Sequence, residues 1–98
     1  MLTGKQRAYL RSLANALPAK YQVGKQGFED DAFLTQLREG LEKNELIKVS
    51  VLENADLSAR EVSDAVCEML GCEGVQAIGN KFVLYKKSKK NPRIILPK

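Results

Sequence analysis

"KYQVGKQGFEDDAFLTQLREGLEKNELIKVSVL", residues 20–52, changes its hydrophobic period twice within one stretch. It opens on alternation, with Tyr21 and Val23 on one side of an extended backbone. Gly24, Lys25, Gln26 and Gly27 then make a G-x-x-G loop. From about Asp30 to Asn44, Phe33, Leu34, Leu37 and Leu41 recur at helical spacing. Gly40 is unfavourable inside a helix by roughly 1 kcal/mol relative to Ala, so a neighbouring element is expected to press against it. "ELIKVSVL", residues 45–52, returns to alternation: Ile47, Val49 and Val51 share one face, and Lys48 and Ser50 take the other. Strand, loop, helix and strand in that order require two parallel strands joined by a right-handed crossover. The alternation predicts a sheet with one face more solvated than the other.

The flanks extend this unit. Leu2 to Leu17 reads as a helix, with Thr3 and Gln6 placed as a capping box and Leu10, Leu13, Ala14 and Leu17 on one face. Pro18 stops it. After residue 56, Ser58 and Glu61 form a second capping box, and Leu57 and Val62 a hydrophobic staple. Val62, Ala65, Val66 and Met69 are the expected buried stripe, and Gly71 stands at the C′ position. Val75–Ile78 and Lys81–Lys86 flank Gly79-Asn80 as a hairpin, with Phe82 and Tyr85 on opposite faces. The expected fold is α-β-α-β-α-β-β, an α/β chain of the two-layer α+β kind. It has three helices on a mixed four-stranded sheet. One domain covers 1–87. Residues 88–98 form a basic tail, within which 94–96 could dock as a short extra strand.

Charge is unevenly placed along the chain. Residues 1–28 carry +5, residues 29–74 carry −8, and residues 75–98 carry +7. Two basic ends around an acidic middle point to a polyanion partner, provided the fold brings the ends together. The chain has no histidine, which removes the commonest acid–base group. Its two cysteines, Cys67 and Cys72, have a C-x4-C spacing that fits no zinc pattern, and two ligands cannot close a tetrahedral site. No catalytic residue, metal, cofactor or small-molecule substrate is therefore expected. No apolar run approaches the roughly 20 residues of a membrane span. The first ten residues lack the apolar core of a secretory leader, so a cytoplasmic monomer with reduced thiols is the expectation.

Two G-x-x-G stretches occur, and their settings differ. Gly71-Cys72-Glu73-Gly74 follows a helix, at its negative end, and carries an acid, so a phosphate is repelled there. Gly24-Lys25-Gln26-Gly27 lies between a strand and a helix N-terminus and carries a lysine. Helix N-termini attract anions through N–H groups that have no helical partner. A KH-type loop clamps a nucleic-acid backbone in this way. Glu29, Asp30 and Asp31 compete for the same helix start, which leaves the loop N–H groups and Lys25 to hold a phosphate. A tight turn that merely needs glycine remains the alternative. No P-loop and no G-x-G-x-x-G is present. "KFVLYKK" lacks the glycines of an RRM strand.

"LTGKQRAYLRSLANAL", "VGKQGF", "NELIKVSVL" and "GNKFVLYKKSKKNPRIILP" together resemble the CRM domain, the chloroplast RNA splicing and ribosome maturation module, in its stand-alone bacterial YhbY-like branch. The resemblance covers nearly the whole chain in order; "SDAVCEML" departs most from the family pattern. It implies a fold similar to the C-terminal domain of bacterial initiation factor three, with a KH-like G-x-x-G loop. It also implies non-catalytic binding of ribosomal RNA in precursors of the large ribosomal subunit. The expected RNA-binding residues are Gly24, Lys25, Gln26 and Gly27 in the loop; Lys5, Arg7, Arg11 and Lys20 near the N-terminus; and Lys86, Lys87, Lys89, Lys90 and Arg93 in the tail. The rival reading is a protein-interaction adaptor that uses the acidic middle to contact a ribosomal protein.

Overall fold

The computed structural model describes residues 2–24, 30–52 and 57–98. The elements run α1 (Gly4–Ala14), β1 (Tyr21–Val23), α2 (Asp31–Asn44), β2 (Leu46–Val51), α3 (Ala59–Leu70), β3 (Glu73–Ile78) and β4 (Lys81–Tyr85). β1 pairs parallel with β2, in the register Tyr21↔Val49 to Val23↔Val51. β4 lies antiparallel to both β2 and β3, giving a mixed sheet in the order β1-β2-β4-β3. Class and element order are those read from the sequence.

The local signals explain where elements begin. The Thr3 hydroxyl accepts the Gln6 N–H at 3.1 Å, and Gln6 Oε1 accepts the Thr3 N–H at 3.0 Å. Ser58 and Glu61 repeat that exchange at α3, both at 3.1 Å. Asp30 starts α2 by accepting the Ala32 N–H. Gly71 ends α3 with φ of 66°, a left-handed conformation that a Cβ disfavours. Gly79 turns the β3–β4 hairpin with φ of 58°. α1 stops at Ala14, three residues before the expected Leu17. Leu13 and Ala14 accept the N–H groups of Ala16 and Leu17 in tighter three-residue turns. Pro18 disfavours helical backbone at the residue before it, so the last turn narrows.

Apolar side chains cover both faces of the sheet. On one face α2 and α3 bury Leu37, Leu41, Val62 and Val66 against Val49, Val51, Phe82 and Leu84. On the other, Leu10 and Ala14 of α1 cover Leu46, Val75, Val83 and Tyr85, with Ile94 and Leu96 of the tail packed alongside. Where alternation suggested two layers and a wetter face, α1 makes a third layer over half of that face. The sequence signal missed it because Lys48 and Ser50 are polar positions on that face, yet Lys48 is half-buried and Ser50 is buried. Phe82 and Tyr85 are both core, on opposite faces as expected. Met69 is 44% exposed and Leu70 takes the buried place expected for it. Tyr21 accounts for Gly40: a Cβ there would come within 3.0 Å of the ring carbon Cζ, and closer still to the hydroxyl.

Candidate nucleic-acid interface

The cationic residues fall into groups at the two ends of β2. At its C-terminal end the Leu52 N–H donates to Val23 O at 2.9 Å, which sets Gly24 beside Leu52. The hairpin turn joins them there: the Val51 N–H donates to Asn80 O at 2.6 Å, and Asn80 Nδ2 donates to Val51 O at 3.3 Å. Gly24, the first turn of α2 and Lys81 thus share one end of the molecule. Lys25, Gln26 and Gly27 lie outside the described residues. Asp30 satisfies one N–H of the α2 start and Asp31 sits in its first turn, so acids occupy part of that dipole.

The tail is fixed at the opposite end, and two glutamates fix it. Glu45 leaves α2 with φ of 65° and has no exposed surface. Its main-chain oxygen accepts the Lys86 N–H at 2.9 Å. Its carboxylate accepts N–H groups from Ser88 at 2.9 Å, Arg93 at 2.6 Å and Ile94 at 2.7 Å. Burial pushes this carboxyl up, but the three N–H donors and Lys87 outweigh it, and the net direction is down. Glu42 takes the Ser88 hydroxyl and the Lys89 and Lys90 N–H groups, and those bonds also hold it below its ordinary range. Gln6 Nε2 reaches Pro97 O at 3.0 Å and closes the tail onto α1. Residues 86–98 form no strand, so 94–96 docks through the Ile94 and Leu96 side chains and the Ile94 N–H on Glu45.

This anchoring decides what the tail can present. Lys87, Lys89, Lys90 and Arg93 are exposed on a backbone that two carboxylates hold in place. Lys86 is half-buried and its ammonium donates to Leu70 O at the C-terminal end of α3, at 3.1 Å. Lys5 and Arg11 are exposed along α1, while Arg7 is half-buried with its guanidinium on Gly74 O. Lys20 is exposed just before β1. Lys20, one residue before the Tyr21↔Val49 pair, lies alongside the middle of β2, and the structure gathers the tail and Arg7 toward one end of the sheet. Gly24 lies at the other, about 23 Å away along β2 at ~3.3 Å per residue. Sequence reasoning missed Lys48 and Lys81. Lys48 pairs with Val83 in register, and Lys81 pairs with Ser50. Alternation had put Lys48 on the solvated face, which was the available signal. Nothing in the sequence marked Glu42 and Glu45 as tail anchors.

The cysteines serve packing. Cys72 is buried, Cys67 half-buried, and both are free. Their thiols hydrogen-bond one another across the end of α3, which lowers Cys67 and, with burial, raises Cys72. Among the described residues no group of three or more His, Cys, Asp or Glu could hold a metal ion. No helix among them is long and apolar enough to cross a membrane.

Comparison with known proteins bears on this surface. The CRS1/YhbY (CRM) domain model matches residues 2–86. A Bacillus subtilis protein named "Probable RNA-binding protein YqeI" is 48% identical over 97 residues, covering 99% of this chain and all of the relative. A Haemophilus influenzae protein named "RNA-binding protein" is 32% identical over 98 residues, covering 99% of this chain and 96% of the relative. The solution structure of the hypothetical protein SAV1595 from Staphylococcus aureus superposes with a TM-score of 0.77 at 40% identity, covering 99% of this chain and 100% of that one.

Proposed function

The chain belongs to the CRS1/YhbY (CRM) domain family, and from that premise we propose that it is a non-catalytic RNA-binding protein of the cytoplasm, acting as a monomer. Its ligand is ribosomal RNA in precursors of the large subunit, and its role is to assist their assembly. The loop from Gly24 to Gly27 holds phosphate through main-chain N–H groups and Lys25. Lys5, Arg7, Arg11 and Lys20 extend the positive surface, and the tail lysines with Arg93 form a second contact. No cofactor or metal enters this reading.

The observation that carries it is the Glu45 anchor. It holds the backbone under Lys87, Lys89, Lys90 and Arg93, so four exposed cations stand at fixed points of the surface. The names of the two relatives support RNA as the partner. The adaptor reading weakens on the same observation. Glu42 and Glu45 are turned to the tail and are lost to a basic protein, while Asp31, Glu39, Asp64 and Glu68 stay exposed.

Crosslinking in cells, followed by sequencing of the attached RNA, tests the ligand. Large-subunit precursor RNA is expected; recovery of messenger or transfer RNA instead overturns the ribosomal assignment. Gly27→Asp tests the loop, because it adds bulk and negative charge where a phosphate is to sit. Affinity should fall by tenfold or more, using roughly 1.4 kcal/mol per factor of ten, with an unchanged melting temperature. Full affinity in that folded variant rules the loop out.

A further inference from the structure

Resting on the RNA-binding reading above, we propose that the groove between the Leu17–Lys20 bend and the open edge of β2 receives one unpaired nucleotide of the bound RNA. β1 pairs only with Val49–Val51. The edge of Leu46–Lys48 that faces away from β4 therefore has no strand beside it among the described residues. The bend that leads from α1 into β1 crosses this gap, and Ile94 of the tail approaches from the other side, leaving a groove of about 350 Å³.

Its walls combine three features that a nucleotide uses. Leu13, Leu17, Pro18 and Ile94 offer an apolar surface for the flat of a base. The strand edge carries main-chain polar groups that no neighbouring strand covers among the described residues, and Asn44 also lines the groove. Lys20 and Lys48 supply two ammonium groups for the flanking phosphates, and no acidic residue lines the groove. Unpaired bases are recognised by this mixture of stacking surface, edge contacts and cations, and a base inside a duplex cannot reach it.

Position supports the same occupant. Gly24 and the tail lie at opposite ends of β2, and the groove lies between them. Lys48 shares the sheet face opposite α2 with the cross-strand row Gln22–Ser50–Lys81, in which Gln22 and Lys81 are exposed and Ser50 is buried between them, and that row leads from the groove toward Gly24. A strand gripped at both ends passes over it. An apolar side chain from a second copy, such as the 86% exposed Ile95, is the competing occupant. Charge disfavours it: each copy carries +4, and two of its lysines stand at the groove.

The test uses the full chain, hexauridylate containing one photoreactive thiouracil, and a blunt duplex RNA of about 16 base pairs. Irradiation should crosslink the base to residues 13–21 or 44–48. The double variant Lys20→Gln, Lys48→Gln should lose about tenfold in affinity for the hexamer, from two lost phosphate contacts, and under about threefold for the duplex. Crosslinks elsewhere with unchanged hexamer affinity overturn the groove while leaving RNA binding intact. Self-association that Leu17→Glu abolishes also overturns it, in favour of a second copy. If the wild type binds neither RNA at low salt, the RNA-binding reading falls and the groove falls with it.

Discussion

At Glu45 the chain leaves α2 in a conformation that non-glycine residues rarely adopt, and it buries a carboxylate with three main-chain N–H donors from the tail. Such backbone costs on the order of 1–3 kcal/mol and persists only when its surroundings fix it. Glu45→Gln keeps the shape but turns an amide toward one of those donors. It should lower stability by about 2–3 kcal/mol, from weakened bonds to a charged acceptor. Acid should act in the same direction. Both anchors lie below their ordinary value of 4.5 when folded. Their contribution is complete above that value and is lost as pH falls through the lowered ones. Denaturant titration between neutral pH and about pH 3 should show this loss, and Glu45→Gln should show less of it. Gly40→Ala is the second case. Helix propensity alone gains about 1 kcal/mol, yet crowding against Tyr21 should make the variant net less stable by about 1 kcal/mol. Tyr21→Phe, which removes the hydroxyl, should recover part of it. Thermal melts of the two single variants and the double variant decide the matter.

Elements were legible where their boundary chemistry is local. Thr3 with Gln6 and Ser58 with Glu61 marked two helix starts, and Gly71 marked an end. Gly71→Ala should cost about 1 kcal/mol because its φ of 66° is unfavourable to any Cβ. Gly4→Ala, in the first turn of α1 with open space around it, should be neutral or slightly stabilising. A melting shift of equal size and sign in both would refute the left-handed account of Gly71. Boundaries that depend on packing were not legible. Met69 and Leu70 are adjacent, and which one turns inward depends on how α3 is rotated against β3 and β4. Periodicity cannot fix that angle to better than one residue. The early end of α1 and the positive φ at Glu45 are of the same kind. The first follows from Pro18 acting four residues upstream, and the second has no compositional signal.

Over the whole molecule, the sequence located the cations and left their arrangement open. Two basic ends implied one shared surface. Long-range bonds set the arrangement instead: Glu45 to the tail across 43 positions, Arg7 to Gly74 across 67, and Gln6 to Pro97 across 91. These bring both termini together at the end of the sheet away from Gly24. The binding surface we propose is therefore a track along the sheet, touched at several points, and not a single cradle. A track makes affinity depend on how many phosphates it neutralises. With about 5 contacts and the single-strand coefficient of about 0.7 each, log K should fall against log[salt] with a slope near −3.5. Converting Lys87, Lys89 and Lys90 to Gln should reduce the slope toward about −1.4, one coefficient per lysine removed. The salt slope of wild type and triple variant on one single-stranded RNA is the most direct measurement. A steep wild-type slope that flattens in the variant is the predicted result. A flat wild-type slope, or one the three substitutions leave unchanged, contradicts an electrostatic track that includes the tail.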